Sequence, residues 1–342
     1  MTKHCVSRVI RKKTVIRSKF TFLRQALNYT FYHLFAVKHI PLRTSTGTKA
    51  EVRIKKGAMS KTKIFLVGIV VYAEIVASCG GKGNKWDRLL VNFKKQTPLP
   101  RTEDQALKEG WRNDASCESK NPFYGNRYVK GNDISTRLLF DSAGNLAGIQ
   151  GTITESDDLI LSPTRPRPSA FVKDDHGHYL LTAYFTKKPK DICKKKPRSK
   201  NEDSLVIQTS DIRLCGKPQF MEIPLEEKKL DSRWVEGRCV SKMGVHYWYD
   251  ISENMHCDQS YPVFLLYDQV TRRLKSFGWA ALANLTSPLW EHPPIPSLSH
   301  FFKPPIPKCL MSREVISTQH VYLTDPTQLT CSNPAAGKRA II

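Results

Sequence analysis

The sequence has no apolar run long enough to cross a bilayer as a helix. The longest, residues 64–77, has 14 residues, against the roughly 20 that a span requires. No Cys-x-x-Cys or Cys-x-His spacing occurs, which argues against a zinc finger and a thioredoxin-type redox site. Gly-x-Ser-x-Gly, His-Glu-x-x-His and Walker sequences are missing too, so no residue presents itself as a catalyst, and an enzymatic role is not indicated. Acid is scarce at the start: residues 1–58 carry 14 Lys and Arg against the single Glu51.

After that basic stretch the chain takes the order of a secretory signal. Met59 and the lysines Lys61 and Lys63 precede the apolar run, and small residues up to Ser78 come after it, just before Cys79. Three readings suit residues 1–58: an extension upstream of a working start at Met59, the basic tail of a signal anchor, or an organelle transit peptide. The length of the run favours the first, with residues 59–78 as a cleaved signal and a secreted, extracellular product. Val76-Ala77-Ser78-Cys79 would also suit lipidation of Cys79, but the sequon Asn284-Leu285-Thr286 fits a glycosylated eukaryotic secretory protein better. The net charge of +23 is concentrated in the N-terminal extension, so it is no argument for nucleic-acid binding.

Beyond the signal the chain is long enough to bury a core of its own. Cys79, Cys117, Cys193, Cys215, Cys239, Cys257, Cys309 and Cys331 make an even set of eight, expected to staple that core as disulfides in an oxidising compartment. Neighbouring pairs such as Cys193–Cys215, Cys239–Cys257 and Cys309–Cys331 would close short loops. Eight cysteines allow 105 pairings, however, and the sequence does not choose among them.

The expected fold is mainly β, an antiparallel sheet or sandwich built from hairpins, with one short N-terminal helix. The Thr102-to-Gln105 capping pattern opens that helix. Alternating or continuous apolar segments at 137–140 and 146–153, 169–173 and 178–185, and 263–267 and 274–281 flank turn residues and read as hairpins. Segments 204–209, 245–249 and 319–323 read as further strands. Seven prolines in residues 288–307 exclude a helix or central strand there. A single β-rich domain is expected over residues 79–331, with a disordered tail over 332–342. The hairpins at Leu138–Ile149 and Leu265–Phe277 echo one another, strand, acidic turn and return strand, though turn chemistry alone can produce such an echo.

Two clusters carry candidate chemistry. Lys187, Lys188, Lys190, Lys194, Lys195, Lys196, Arg198 and Lys200 crowd one loop with only Asp191 against them, a pattern suited to an extracellular polyanion or an acidic protein. His176 and His178 lie two apart, on one face if the backbone is extended. With His246 or His320 they could bind copper or zinc, making a metal-binding protein or metalloenzyme the alternative to a cofactor-free binding or matrix protein. Tyr247-Trp248-Tyr249, Trp279 and Trp290 could form a ligand platform but more often fill a core. Asp157-Asp158 and Glu226-Glu227 read as solvated surface. No stable membrane insertion is expected, and the oligomeric state is not legible.

Overall fold

In the computed structural model the hairpin segments assemble into two antiparallel sheets. Residues 42–43, 49–50, 86–195, 203–213 and 219–331 are described. The chain divides into two units, Met1–Val76 and Ala77–Ile342. In the first, β1 (Leu42–Arg43) pairs antiparallel with β2 (Lys49–Ala50). The apolar run, Cys79, Cys215 and the 332–342 tail lie outside the described residues, and no described helix is long and apolar enough to cross a membrane.

The second unit is mainly β. Its strands are β3 (Leu90–Val91), β4 (Thr97–Pro98), β5 (Trp111–Ala115), β6 (Asn126–Lys130), β7 (Asp133–Phe140), β8 (Leu146–Ile153), β9 (Val172–Lys173), β10 (Tyr179–Tyr184), β11 (Leu205–Gln208), β12 (Phe220–Ile223), β13 (Trp234–Val240), β14 (Gly244–Tyr249), β15 (Val263–Tyr267), β16 (Leu274–Ala281) and β17 (Ser317–Tyr322). Helices are short: α1 (Glu103–Lys108), whose cap Thr102 accepts a hydrogen bond from the Gln105 amide, and α2 (Lys308–Met311). One sheet runs β12-β11-β10-β8-β7-β6-β5, with β9 added beside β10. The other runs β13-β14-β15-β16-β17-β3-β4, so the N-terminal hairpin completes the C-terminal sheet.

Inward-facing residues of both sheets form a single core. Leu138, Phe140, Ile149, Leu181 and Ile207 of the first sheet share it with Tyr247, Leu265, Tyr267, Phe277, Trp279 and Val321 of the second. This is sandwich packing, in which alternate residues of each strand point to the partner sheet. Polar stitches cross the layer: Gln319 Nε2 donates to Thr136 Oγ1 at 2.7 Å, and Trp290 Nε1 to the Ser135 carbonyl at 3.3 Å. Tyr247, Tyr249, Trp279 and Trp290 are therefore core residues, and Trp248 stacks on Phe302 beneath the proline-rich segment.

The two sheets repeat one another in detail. Each central hairpin, β7–β8 and β15–β16, carries a register shift one residue before its acidic turn, at Leu139/Phe140 and Leu266/Tyr267. Asp141 Oδ1 accepts from the amides of Ala143 and Asn145, and Asp268 Oδ1 from the amide and hydroxyl of Thr271. The Glu103 amide bonds the Gly144 carbonyl at 2.9 Å, as the Glu227 amide bonds that of Arg272 at 3.0 Å. The Leu146 amide reaches the Arg101 carbonyl as Leu274 reaches Leu225. Tyr128 donates its hydroxyl to Glu103, and Tyr247 donates to Glu227. Burial and the Glu103 carboxylate push the Tyr128 phenol up to about 12. So many matching long-range bonds make the echo between the hairpins a structural repeat.

Disulfides follow the repeat, not nearest neighbours in sequence. Cys117 pairs with Cys193, Cys239 with Cys331, and Cys257 with Cys309. The first two are equivalent, each joining the region of an outermost strand, β5 or β13, to a cysteine nine residues beyond Tyr184 or Tyr322. The neighbouring pairs expected from loop length do not form. The chain comes back to the outermost strand only after the fifth strand of each meander, 76 and 92 residues on, and this decides which sulfurs meet.

Candidate functional site

The basic cluster is built on a pinned turn. After β10 the chain enters a 3₁₀ turn, Pro189–Asp191, with Pro189 and Ile192 buried. Proline presets the dihedral at the start of such a turn. The Ile192 carbonyl accepts from the Ser142 amide at 3.1 Å, and that of Lys194 from the Ser142 hydroxyl. Cys193 is tied to Cys117. With these anchors turned inward, Lys187, Lys188, Lys190, Lys194 and Lys195 are all exposed. Asp191 offsets part of the charge through Lys194 at 2.7 Å, and that hydrogen bond, with the surrounding lysines, holds its carboxyl below the usual range. Lys196, Arg198 and Lys200 lie outside the described residues.

The sequon lies elsewhere, just after β16. Asn284 and Thr286 are exposed on either side of buried Leu285, whose amide bonds Ser317 Oγ at 3.0 Å. The acidic pairs serve the fold. Asp157 accepts from the Thr154 amide and hydroxyl, Glu226 pairs with Lys228 and Lys229, and Glu227 receives Tyr247 and Arg272.

The histidines fall into two pairs on different sheets. His176 and His178 occupy the β9–β10 turn, ring centroids 5.8 Å apart, with His178 Nδ1 3.3 Å from Asp174 Oδ2. His246 and His320 lie on β14 and β17, buried on the outward face of the second sheet. His320 Nδ1 meets Glu291 Oε2 at 2.7 Å, and His246 Nδ1 meets the Arg238 carbonyl at 3.1 Å. The four expected metal ligands thus do not converge. Among the described residues no group of three or more His, Cys, Asp or Glu side chains is placed to hold a metal ion.

No protein-family model, curated protein or solved structure matches this chain. Its function rests on the geometry alone.

Glu291 was not legible as a site residue, since the proline-rich segment around it gives no periodicity. A second unanticipated cluster is buried in the first sheet, where Asp114 pairs with both Arg127 and Arg137 at 2.9 and 3.1 Å. Only the register of β5, β6 and β7 brings these three together.

Proposed function

We propose that the chain is an extracellular, disulfide-bonded binding protein that contacts polyanions through the turn at 187–195. The observation carrying this is the presentation of five exposed lysines from a turn fixed by Pro189, Ile192 and the Cys117–Cys193 bridge. An ammonium is a compact point charge with rotatable donors, suited to sulfate and phosphate groups of varied spacing. Charges on a fixed base keep their clustering without first ordering a loop, so less entropy opposes binding. Three disulfides belong to an oxidising environment.

On immobilised heparin the wild-type chain is expected to elute at high salt. Replacing Lys187, Lys188, Lys190, Lys194 and Lys195 together with glutamine should move elution to markedly lower salt, because exposed charge interactions are screened within about 10 Å at 0.1 M. Unchanged elution would dispose of the assignment. The exposed sequon adds an independent test of the compartment. Protein secreted from eukaryotic cells should lose mass on treatment with an N-glycan-removing amidase, and Asn284→Gln should abolish that loss. A secreted product whose mass the enzyme leaves unchanged would remove glycosylation from the reading.

A further inference from the structure

We propose that His246 and His320 form a buried two-imidazole site for a soft monovalent cation of the copper(I) type, with Glu291 as its positioning residue. The proposal is independent of the polyanion reading and of the exposed pair His176 and His178.

The repeat isolates the unusual chemistry. In the first sheet, paired positions run Arg127, Leu139, Gly148, Tyr184, and the neighbouring row runs Arg137, Gln150, Thr182. Their counterparts in the second sheet are His246, Leu266, Ser276, Tyr322 and Phe264, Gly278, His320. The first set is closed by hydrogen bonds: Arg127 Nη1 donates to Gln150 Oε1 at 3.1 Å, Gln150 Nε2 to Thr182 Oγ1 at 2.8 Å, and Tyr184 Oη to Gln208 Oε1 at 2.7 Å. Gln150 is the bridge, and Gly278 stands in its place. The ring of Phe264 covers Gly278 so closely that a Cβ there would lie 2.1 Å from its Cζ. An aromatic carbon can replace the volume of an amide but not its donors and acceptors.

The second sheet is left with open valences. His246 Nε2, His320 Nε2, Trp248 Nε1, Ser276 Oγ and Tyr322 Oη are buried without a hydrogen-bond partner. Such groups are uncommon, because each forfeits its hydration without replacement. The residues His246 and His320 are only 1% and 6% exposed.

Both imidazoles are oriented as metal ligands usually are. A ligating histidine commonly donates its second ring N–H to a carboxylate or a backbone carbonyl, which fixes the tautomer and leaves the other nitrogen's lone pair for the ion. Glu291 does this for His320 and the Arg238 carbonyl for His246. Glu291 Oε1 in turn accepts from the amides of Phe93 and Lys94. The Phe93 amide is 2.6 Å from Glu291 Oε1. A carboxylate thus faces His320 and no lysine or arginine side chain is bonded to it among the described residues.

Spacing and ligand number select the ion. Two imidazoles on one ion at roughly 2 Å from each nitrogen have centroids about 5 Å apart when tetrahedral and about 6.3 Å apart when linear. The rings of His246 and His320 meet edge to face with centroids 6.4 Å apart and planes at 83°, a separation compatible with the linear arrangement and too wide for the tetrahedral one. Zinc sites use at least three protein ligands, and no such group occurs among the described residues. A soft d¹⁰ cation that accepts two nitrogens fits. Phe264, Phe301 and Trp248 surround His246 and keep water away.

The test uses the full-length chain and copper(I) alone, anaerobically, in competition with a chromogenic copper(I) chelator, on native and on refolded protein. One equivalent should be retained, and X-ray absorption should show nitrogen scatterers in low coordination without sulfur. His246→Ala and His320→Ala should each reduce retention to background, and Glu291→Gln should weaken it about 10- to 100-fold. The double variant H176A/H178A should retain copper like wild type. No retention by either preparation, sulfur scatterers, or a loss confined to H176A/H178A would each overturn the proposal. The absorption spectrum of the wild type decides the ligands even where a histidine variant fails to fold.

Discussion

Replacing Asp114 by alanine should cost about 3–5 kcal/mol of stability, the range for removing one partner of a buried ion pair. Asp114 is the carboxylate between two guanidinium groups, at 2.9 Å from Arg127 Nε and 3.1 Å from Arg137 Nε. Arg127 also lies over the Phe123 ring at 4.6 Å, and Arg137 Nη1 donates to Thr152 Oγ1 at 2.7 Å. Burial already pulls Arg137 down to about 10, with Arg127 pushing the same way and Asp114 and Asp174 opposing. Without Asp114 two like charges remain in one desolvated cluster. Urea unfolding should show the loss as a lower midpoint with little change of slope. The comparison is Glu236→Ala, which breaks an exposed pair with Lys303 at 2.7 Å and should cost no more than about 1 kcal/mol. Equal effects of the two substitutions would mean that the Asp114 cluster is solvated.

The same cluster shows where sequence reading stops. Segments with strong apolar patterns were legible to the residue: β8 at Leu146–Ile153, β15 at Val263–Tyr267 and β16 at Leu274–Ala281. Each is buried almost throughout, so hydrophobicity dictates both its presence and its limits. The Thr102 cap likewise named α1 through chemistry that only a helix N-terminus uses. The outermost strands were not legible. β5, Trp-Arg-Asn-Asp-Ala, and β13, Trp-Val-Glu-Gly-Arg-Cys-Val, mix exposed polar residues with one anchoring tryptophan each. β3 and β4 are two residues long and exist because β17 offers them an edge.

Of the candidate sites, the lysine turn was legible because charge clustering is local. The histidines were legible one by one but not as a constellation. His176 and His178 are neighbours in sequence, yet His246 and His320 are the pair that shares a buried environment, brought together across four strands by pairing invisible at short range. The disulfides failed locally for the same reason. Loop length favours near neighbours, whereas the meander brings distant cysteines together.

Those distant bridges carry the other large effect. The double variant C239S/C331S should lose about 2–5 kcal/mol, and C117S/C193S should lose nearly the same. Both bridges fasten the same place in the repeat, beside an outermost strand with a single neighbour in its sheet. They close 92 and 76 residues, and closure entropy grows so slowly with length that the two should differ by well under about 0.5 kcal/mol on that account. Urea midpoints of the two double variants should therefore fall together, well below the wild type. A loss under about 1 kcal/mol in both would show the sandwich core holding its edges without the bridges. Strong inequality would mean that the edges are secured differently. The second sheet has an element to do this: the segment carrying Phe301, Phe302 and Leu310, itself tied by Cys257–Cys309, covers its outward face. If that cover substitutes for Cys239–Cys331, then C239S/C331S should be the milder variant, and removing Cys257–Cys309 as well should restore the deficit.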